Sequence, residues 1–154
     1  AVVNTFTYGD INIGLAETTG NDYKIVPGVA ISKDPKVTVE AGSEACWLFV
    51  KVEEKDWPAF KETDNNKAKI DYKIASGWTE LEGVSGVYYR EVGAVTADTS
   101  FDVIKDNVIT VSENLTKAEV NTVVTVQPKL TFTAYAVQKD GVASAAAAWA
   151  KVSA

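Results

Sequence analysis

The chain has no histidine. That removes Ser-His-Asp and Cys-His nucleophilic sites, every imidazole metal site and every His general base. Its single cysteine, Cys46, lies in the apolar run Ala45-Cys-Trp-Leu-Phe-Val50 and reads as a buried, inert thiol; one cysteine also excludes an intramolecular disulfide. Carboxylates come in small groups: Glu53-Glu54 with Asp56, Glu80 with Glu82, and Asp98 with Asp102. A pair of carboxylates can serve glycoside hydrolysis, yet no spacing singles one out, and solvated surface charge accounts for them. There is no Asp-x-Asp-x-Asp-Gly calcium loop. The sequence therefore predicts no catalytic, cofactor-binding or metal-binding residue, and a protein that is not an enzyme. The aromatics Trp47, Trp57, Trp78, Trp149, Tyr88 and Tyr89 are candidates for a sugar-binding platform. The favoured alternative is that Trp47 packs under a C-terminal helix with Trp149.

The elements that must position these residues begin with a phase slip. Before Gly9 the large side chains are even-numbered (Val2, Phe6, Tyr8), and after it they are odd-numbered (Ile11, Ile13, Leu15). Odd and even positions of a strand face opposite sides, so one straight strand would expose half of this set. A kink at Gly9 reconciles the two halves. Residues 1–9 then form an amino-terminal arm and residues 10–154 a single domain. A short arm that need not follow its own sheet can pair with another molecule's sheet; the alternative is one bent edge strand. The residues predicted to make such a joint are Val2, Val3, Phe6, Tyr8 and Gly9, with Phe6 filling a pocket in the next subunit.

Most of the remaining segments are short, β-branched or aromatic, and bounded by Gly, Asn, Asp or Pro. They predict strands over 23–32, 37–39, 45–53, 70–75, 77–81, 87–92, 100–105, 108–111 and 130–138. Asp106-Asn107 reads as a tight hairpin and Ser85-Gly86 as a turn into Val87. Within 45–53, Cys46, Leu48, Val50 and Val52 form one apolar face while Trp47 and Phe49 point the other way, so that end of the strand is covered on both sides. Two helices are expected. One has Thr116 as N-cap with Glu119 completing a capping box; the other spans 142–152 with Ala145, Ala148, Trp149 and Val152 on one face and Lys151 at its negative end. The polar stretch 61–69 is the expected exposed loop. Together these elements predict a mainly β, jelly-roll-like two-sheet β-sandwich with one or two short helices.

Composition bounds the partners. A length of 154 residues fits one domain with a real core, and a net charge of −6 without a basic cluster gives no footprint for nucleic acid. No apolar run approaches a membrane span. The absence of Met and the initial Ala fit an exported, processed protein. Asn114-Leu-Thr116 is a formal glycosylation sequon that overlaps the expected helix cap.

Three segments carry a resemblance: Asn4-Thr-Phe-Thr-Tyr-Gly-Asp-Ile-Asn-Ile13, Ile25-Val-Pro-Gly-Val-Ala-Ile-Ser-Lys-Asp-Pro-Lys-Val37 and Ala45-Cys-Trp-Leu-Phe-Val-Lys-Val52. With Gly77-Trp78, Val87-Tyr-Tyr-Arg90, Leu130-Thr-Phe-Thr-Ala-Tyr-Ala-Val-Gln138 and the Ala-rich tail ending in Ala148-Trp149, the chain resembles the TasA/camelysin family of exported Gram-positive proteins. The resemblance implies a jelly-roll domain, secreted to the extracellular matrix or cell surface, that polymerises with itself into biofilm-matrix fibres and takes other matrix proteins as further partners. In such fibres each subunit's amino-terminal arm completes the sheet of the next. Only Ala1-Val2-Val3 precede the Asn-Thr-Phe motif here, whereas the family's mature arm is usually longer. The metalloprotease activity described for camelysin is not carried over, because this chain offers no residue for it. The competing function is a monomeric cell-surface β-sandwich that binds a glycan or protein ligand; a hydrolase ranks last.

Overall fold

In the computed structural model, which describes residues 3–19 and 24–153, the chain folds as a two-layer β-sandwich with two short helices. One layer is a five-stranded sheet. Its long central strands are β5 (Cys46–Lys55) and β11 (Lys129–Gln138), paired antiparallel over their whole length. Beyond β5 lie β8 (Val87–Val92) and β7 (Thr79–Glu80). Beyond β11 lies β1 (Val3–Tyr8), in the order β1-β11-β5-β8-β7. The facing layer has two three-stranded sheets. One orders β2 (Ile13–Ala16), β4 (Lys36–Val39) and β9 (Thr99–Asp102); the other orders β3 (Ile31–Ser32), β10 (Val108–Val111) and β6 (Ile70–Asp71).

The sequence explains why the layers close. Cys46, Leu48, Val50 and Val52 of β5 and Leu130, Phe132, Ala134 and Ala136 of β11 share one buried face. They pack against Ile11, Leu15, Ile31, Val37, Val39, Ile109 and Val111 of the facing layer. The opposite face of the five-stranded sheet carries a second core, where Trp47, Phe49 and Val137 meet Val142, Ala145 and Ala148. The last two belong to α2 (Ala145–Ser153). β5 is thus apolar on both faces because both are covered. The expected helical face holds: Ala145 and Ala148 are buried, and Trp149 and Val152 pack on the same cluster. The other helix, α1 (Lys117–Val126), starts at the expected box. The Thr116 hydroxyl accepts from the Glu119 amide, and the Glu119 carboxylate accepts from the Thr116 amide.

Several local expectations need correcting. Of the expected strand 23–32 only Ile31–Ser32 forms; Tyr23 lies outside the described residues. Pro27-Gly28 instead makes a turn closed by the Val29 amide on the Val26 carbonyl at 3.0 Å, with Gly28 at φ +80°. That is the geometry Pro-Gly favours at the centre of a type II turn. Segment 70–75 pairs regularly only over Ile70–Asp71, with a further single bridge between Ile74 and Ile104. Asp106-Asn107 turns the chain, both residues at positive φ, but makes no hairpin, since β9 pairs with β4 whereas β10 pairs with β3 and β6. The polar stretch 61–69 is exposed through most of its length, yet its end is drawn inward. Lys69 is buried and its ammonium lies 2.8 Å from Glu119 Oε1.

Candidate functional site: the amino-terminal strand and its seat

β1 lies along the outer edge of β11 in parallel, with Val3 opposite Phe132 and, in step, Tyr8 opposite Val137. It is the parallel member of an otherwise antiparallel sheet. Its other edge pairs with no strand among the described residues. Thr5 to Tyr8 are all exposed, Phe6 by 41% and Tyr8 by 43%, and none of these four belongs to either core. Phe6 and Tyr8 do share a face, as the alternation predicts. The Phe6 ring centre lies 6.3 Å from that of Tyr135, which itself packs edge-on against Trp149 at 5.1 Å. The Lys151 ammonium sits 5.4 Å from the Tyr8 ring centre. Phe6 in the lone chain therefore rests on a surface beside α2, not in a closed pocket. Val2 lies outside the described residues; Val3 contributes backbone pairing.

Gly9 separates this strand from a firmly held segment. It sits at φ +100°, and a Cβ there would stand 2.6 Å from the Gln138 side-chain oxygen and 2.9 Å from Gln138 Cβ. Both the backbone angle and the close approach demand glycine. Immediately after it, Ile11 enters the main core. The Asn12 carbonyl accepts from the Glu40 amide at 2.8 Å, the Asn12 amide donates to Ser43 Oγ at 3.0 Å, and the Asp10 carbonyl accepts from the Glu44 amide at 3.1 Å. Residues 10–12 are pinned by side chains and backbone of the domain. Residues 3–8 are held by a sheet edge and two aromatic contacts. The phase slip thus marks a passage between two sheets, β1 in one layer and β2 in the other.

The remaining candidate residues are dispersed. Cys46 is fully buried, and desolvation pushes its thiol up to about 11. No tryptophan is exposed, and the set forms no common platform. Trp47 is buried and donates its indole N–H to the Val142 carbonyl at 3.0 Å, beneath the chain leading to α2. Trp57 packs edge-on to Tyr72, and Trp78 to Phe101. The Arg90 guanidinium lies over both Trp78 and Phe101, at 4.9 and 4.2 Å. Of the carboxylates, the structure brings together Glu54 and Glu80, from two different sequence groups. They line a shallow depression with Tyr72, Ser85 and Tyr88. Tyr72 donates to Glu54 at 2.8 Å; burial, reinforced by Glu54, raises the Tyr72 hydroxyl far above its usual range. Burial and then Glu80 raise Tyr88 in the same direction. Asp98 caps the Ala41 amide and Asp102 pairs with Lys36. Among the described residues no three His, Cys, Asp or Glu side chains cluster as metal ligands would. No described helix is long and apolar enough to cross a membrane. The polar groups that sequence reasoning missed are the shielded Lys33–Glu17 pair and the side-chain oxygen of the half-buried Asn107. Their one signal was Lys33 two residues after Ile31, on the core-facing phase of a strand. No family model matches the chain, nor does any curated protein or solved structure.

Proposed function

We propose that the chain is a structural, non-enzymatic subunit of an extracellular protein fibre that polymerises head-to-tail, each copy's amino-terminal strand completing the sheet of the next. The supporting observation is the independence of β1: it occupies a sheet edge, its residues Thr5 to Tyr8 join neither core, and it is joined to the pinned segment through Gly9. A strand held in this way can be exchanged for the same strand of another copy, because every hydrogen bond it makes to β11 is remade identically. The edge of β11 is then the receiving surface. In the folded-back chain it is covered by the chain's own arm, which keeps a ten-residue edge from associating indiscriminately. Head-to-tail donation is a heterologous contact that does not close and so produces filaments. The resemblance to the TasA/camelysin family supports the same reading, along with secretion to the matrix or cell surface. The rival monomeric binding module draws no support from the tryptophans: Trp47 is buried, and Trp57, Trp78 and Trp149 are half-buried against one or the other core.

The experiment compares the full chain with a chain lacking residues 1–8 by near-ultraviolet circular dichroism and negative-stain imaging. Filaments from the full chain, and a folded but non-assembling truncated chain, are expected. Filaments of normal length from the truncated chain would reject strand donation by this arm.

A further inference from the structure

Shielded polar groups of Lys33, Glu17 and Asn107 lie near the point where β3 ends against β10. Lys33 is 1% exposed. Its Nζ lies 3.0 Å from Glu17 Oε2, and the Glu17 side chain is only 4% exposed. The same Nζ stands 5.8 Å from the ring centre of Phe132, which is itself buried. The Lys33 amide donates to the Asn107 carbonyl at 2.7 Å. That bond extends the antiparallel register in which Ser32 faces Val108 and Ile31 faces Ile109. Lys33 and Asn107 are therefore backbone neighbours just beyond the end of the pair, where Asn107 leaves strand geometry at φ +54°. Ile31, Lys33 and Ile109 are all buried beside it. Two atoms at this place have no hydrogen-bond partner although fully shielded from solvent: Glu17 Oε1 and Asn107 Oδ1. Unsatisfied buried acceptors are rare and call for a physical reason. A Lys-Glu pair moved out of water is also weak as a stabilising device by itself.

We infer that Lys33 and Asn107 are the two ends of an intramolecular amide cross-link, formed with the assistance of Glu17. The amine, the amide and the carboxyl group needed for the reaction are all present, and the Lys33 and Glu17 side chains are shielded from water. One proton passes from the Lys33 ammonium to Glu17, leaving a neutral amine and a carboxylic acid. The Nζ lone pair attacks Asn107 Cγ, and the Glu17 proton stabilises the oxygen of the tetrahedral adduct. Glu17 then carries a proton from Nζ to Nδ2. The Cγ–Nδ2 bond breaks, the Nζ–Cγ bond remains, and ammonia leaves. The carboxyl group ends as it began the addition, so no oxidant, reductant or metal is consumed. The product is a second, covalent connection between β3 and β10, in addition to their backbone pairing. This inference stands apart from the fibre reading, because it concerns a single chain.

Intact-mass spectrometry of the full-length chain, purified and held at neutral pH, tests it. The expected mass falls short of the sequence mass by one ammonia. Proteolytic mapping should then yield one branched peptide containing both Lys33 and Asn107, with no cleavage after Lys33. Lys33→Arg, Asn107→Ala and Glu17→Gln should each show the full mass of their own sequence, and the parent should unfold at a higher temperature than Asn107→Ala. A parent chain at full sequence mass overturns the inference, whether or not the variants fold. So does an ammonia loss that mapping places elsewhere, such as cyclisation of a single asparagine.

Discussion

Gly9 is the residue on which the amino-terminal strand turns. Because both its φ and the proximity of Gln138 exclude a Cβ, Gly9→Ala is expected to weaken docking of β1 by about 1–3 kcal/mol, the range for a strained backbone position. The check is amide hydrogen exchange: residues 4–8 should exchange faster while β5 amides keep their protection. Phe6 gives a second prediction at this scale. Emptying a buried aromatic site costs about 3–5 kcal/mol, but Phe6 is 41% exposed in the lone chain. Phe6→Ala should therefore lower monomer stability by less than about 1.5 kcal/mol, since only part of the side chain leaves water. Denaturant unfolding of dilute protein beside a polymerisation assay locates the larger loss; a monomer loss of the full buried size would mean that Phe6 serves its own domain. Residues with one overriding property were legible in the sequence. Cys46 and Trp47 sat in a run too apolar to be anywhere but inside. Lys33 was not legible, because a single lysine on a short strand looks like surface charge until its neighbours in space are known.

At the scale of elements, local chemistry was readable and remote pairing was not. The capping box at Thr116 and Glu119 depends on residues three apart, and it forms as read. Val87–Val92 and Val108–Val111 are strands with the expected limits. Asp106-Asn107 has turn chemistry, but whether a turn makes a hairpin depends on which strands the flanking segments join, and that is decided by distant residues. Thr116→Ala should lower stability by about 0.5–2 kcal/mol through the lost cap, read by urea unfolding. Glu119→Ala should be the more damaging change, because this carboxylate also holds Lys69. Its carboxyl is held below the usual range, first by the Lys69 hydrogen bond and then by the Thr116 amide. A depressed carboxyl stabilises the fold above its unfolded-state pKa and loses that contribution as pH falls through the folded value. The stability difference between parent and Glu119→Gln should accordingly shrink on acidification below the ordinary glutamate range; a difference that stays constant there would remove the ion pair as its cause.

For the whole molecule, the sandwich was legible because strand-sized apolar segments and two covered faces of one strand leave few other architectures. The course of the chain between layers was legible only at Gly9. That β1 runs parallel to β11 was not, since direction within a sheet is a property of the closed fold. This direction has a consequence for any assembly in which arms are exchanged. A donated strand that keeps the register of Val3 opposite Phe132 and Tyr8 opposite Val137 fixes every copy in the same sense along the filament. The two tips are then chemically unlike, one offering an unoccupied edge of β11 and the other a loose arm. A free peptide of residues 1–9 should cap the first tip and leave the second growing, so that sub-stoichiometric peptide shortens filaments and elongation from labelled seeds becomes one-sided. Growth that slows equally at both tips would show that the subunits carry no such polarity.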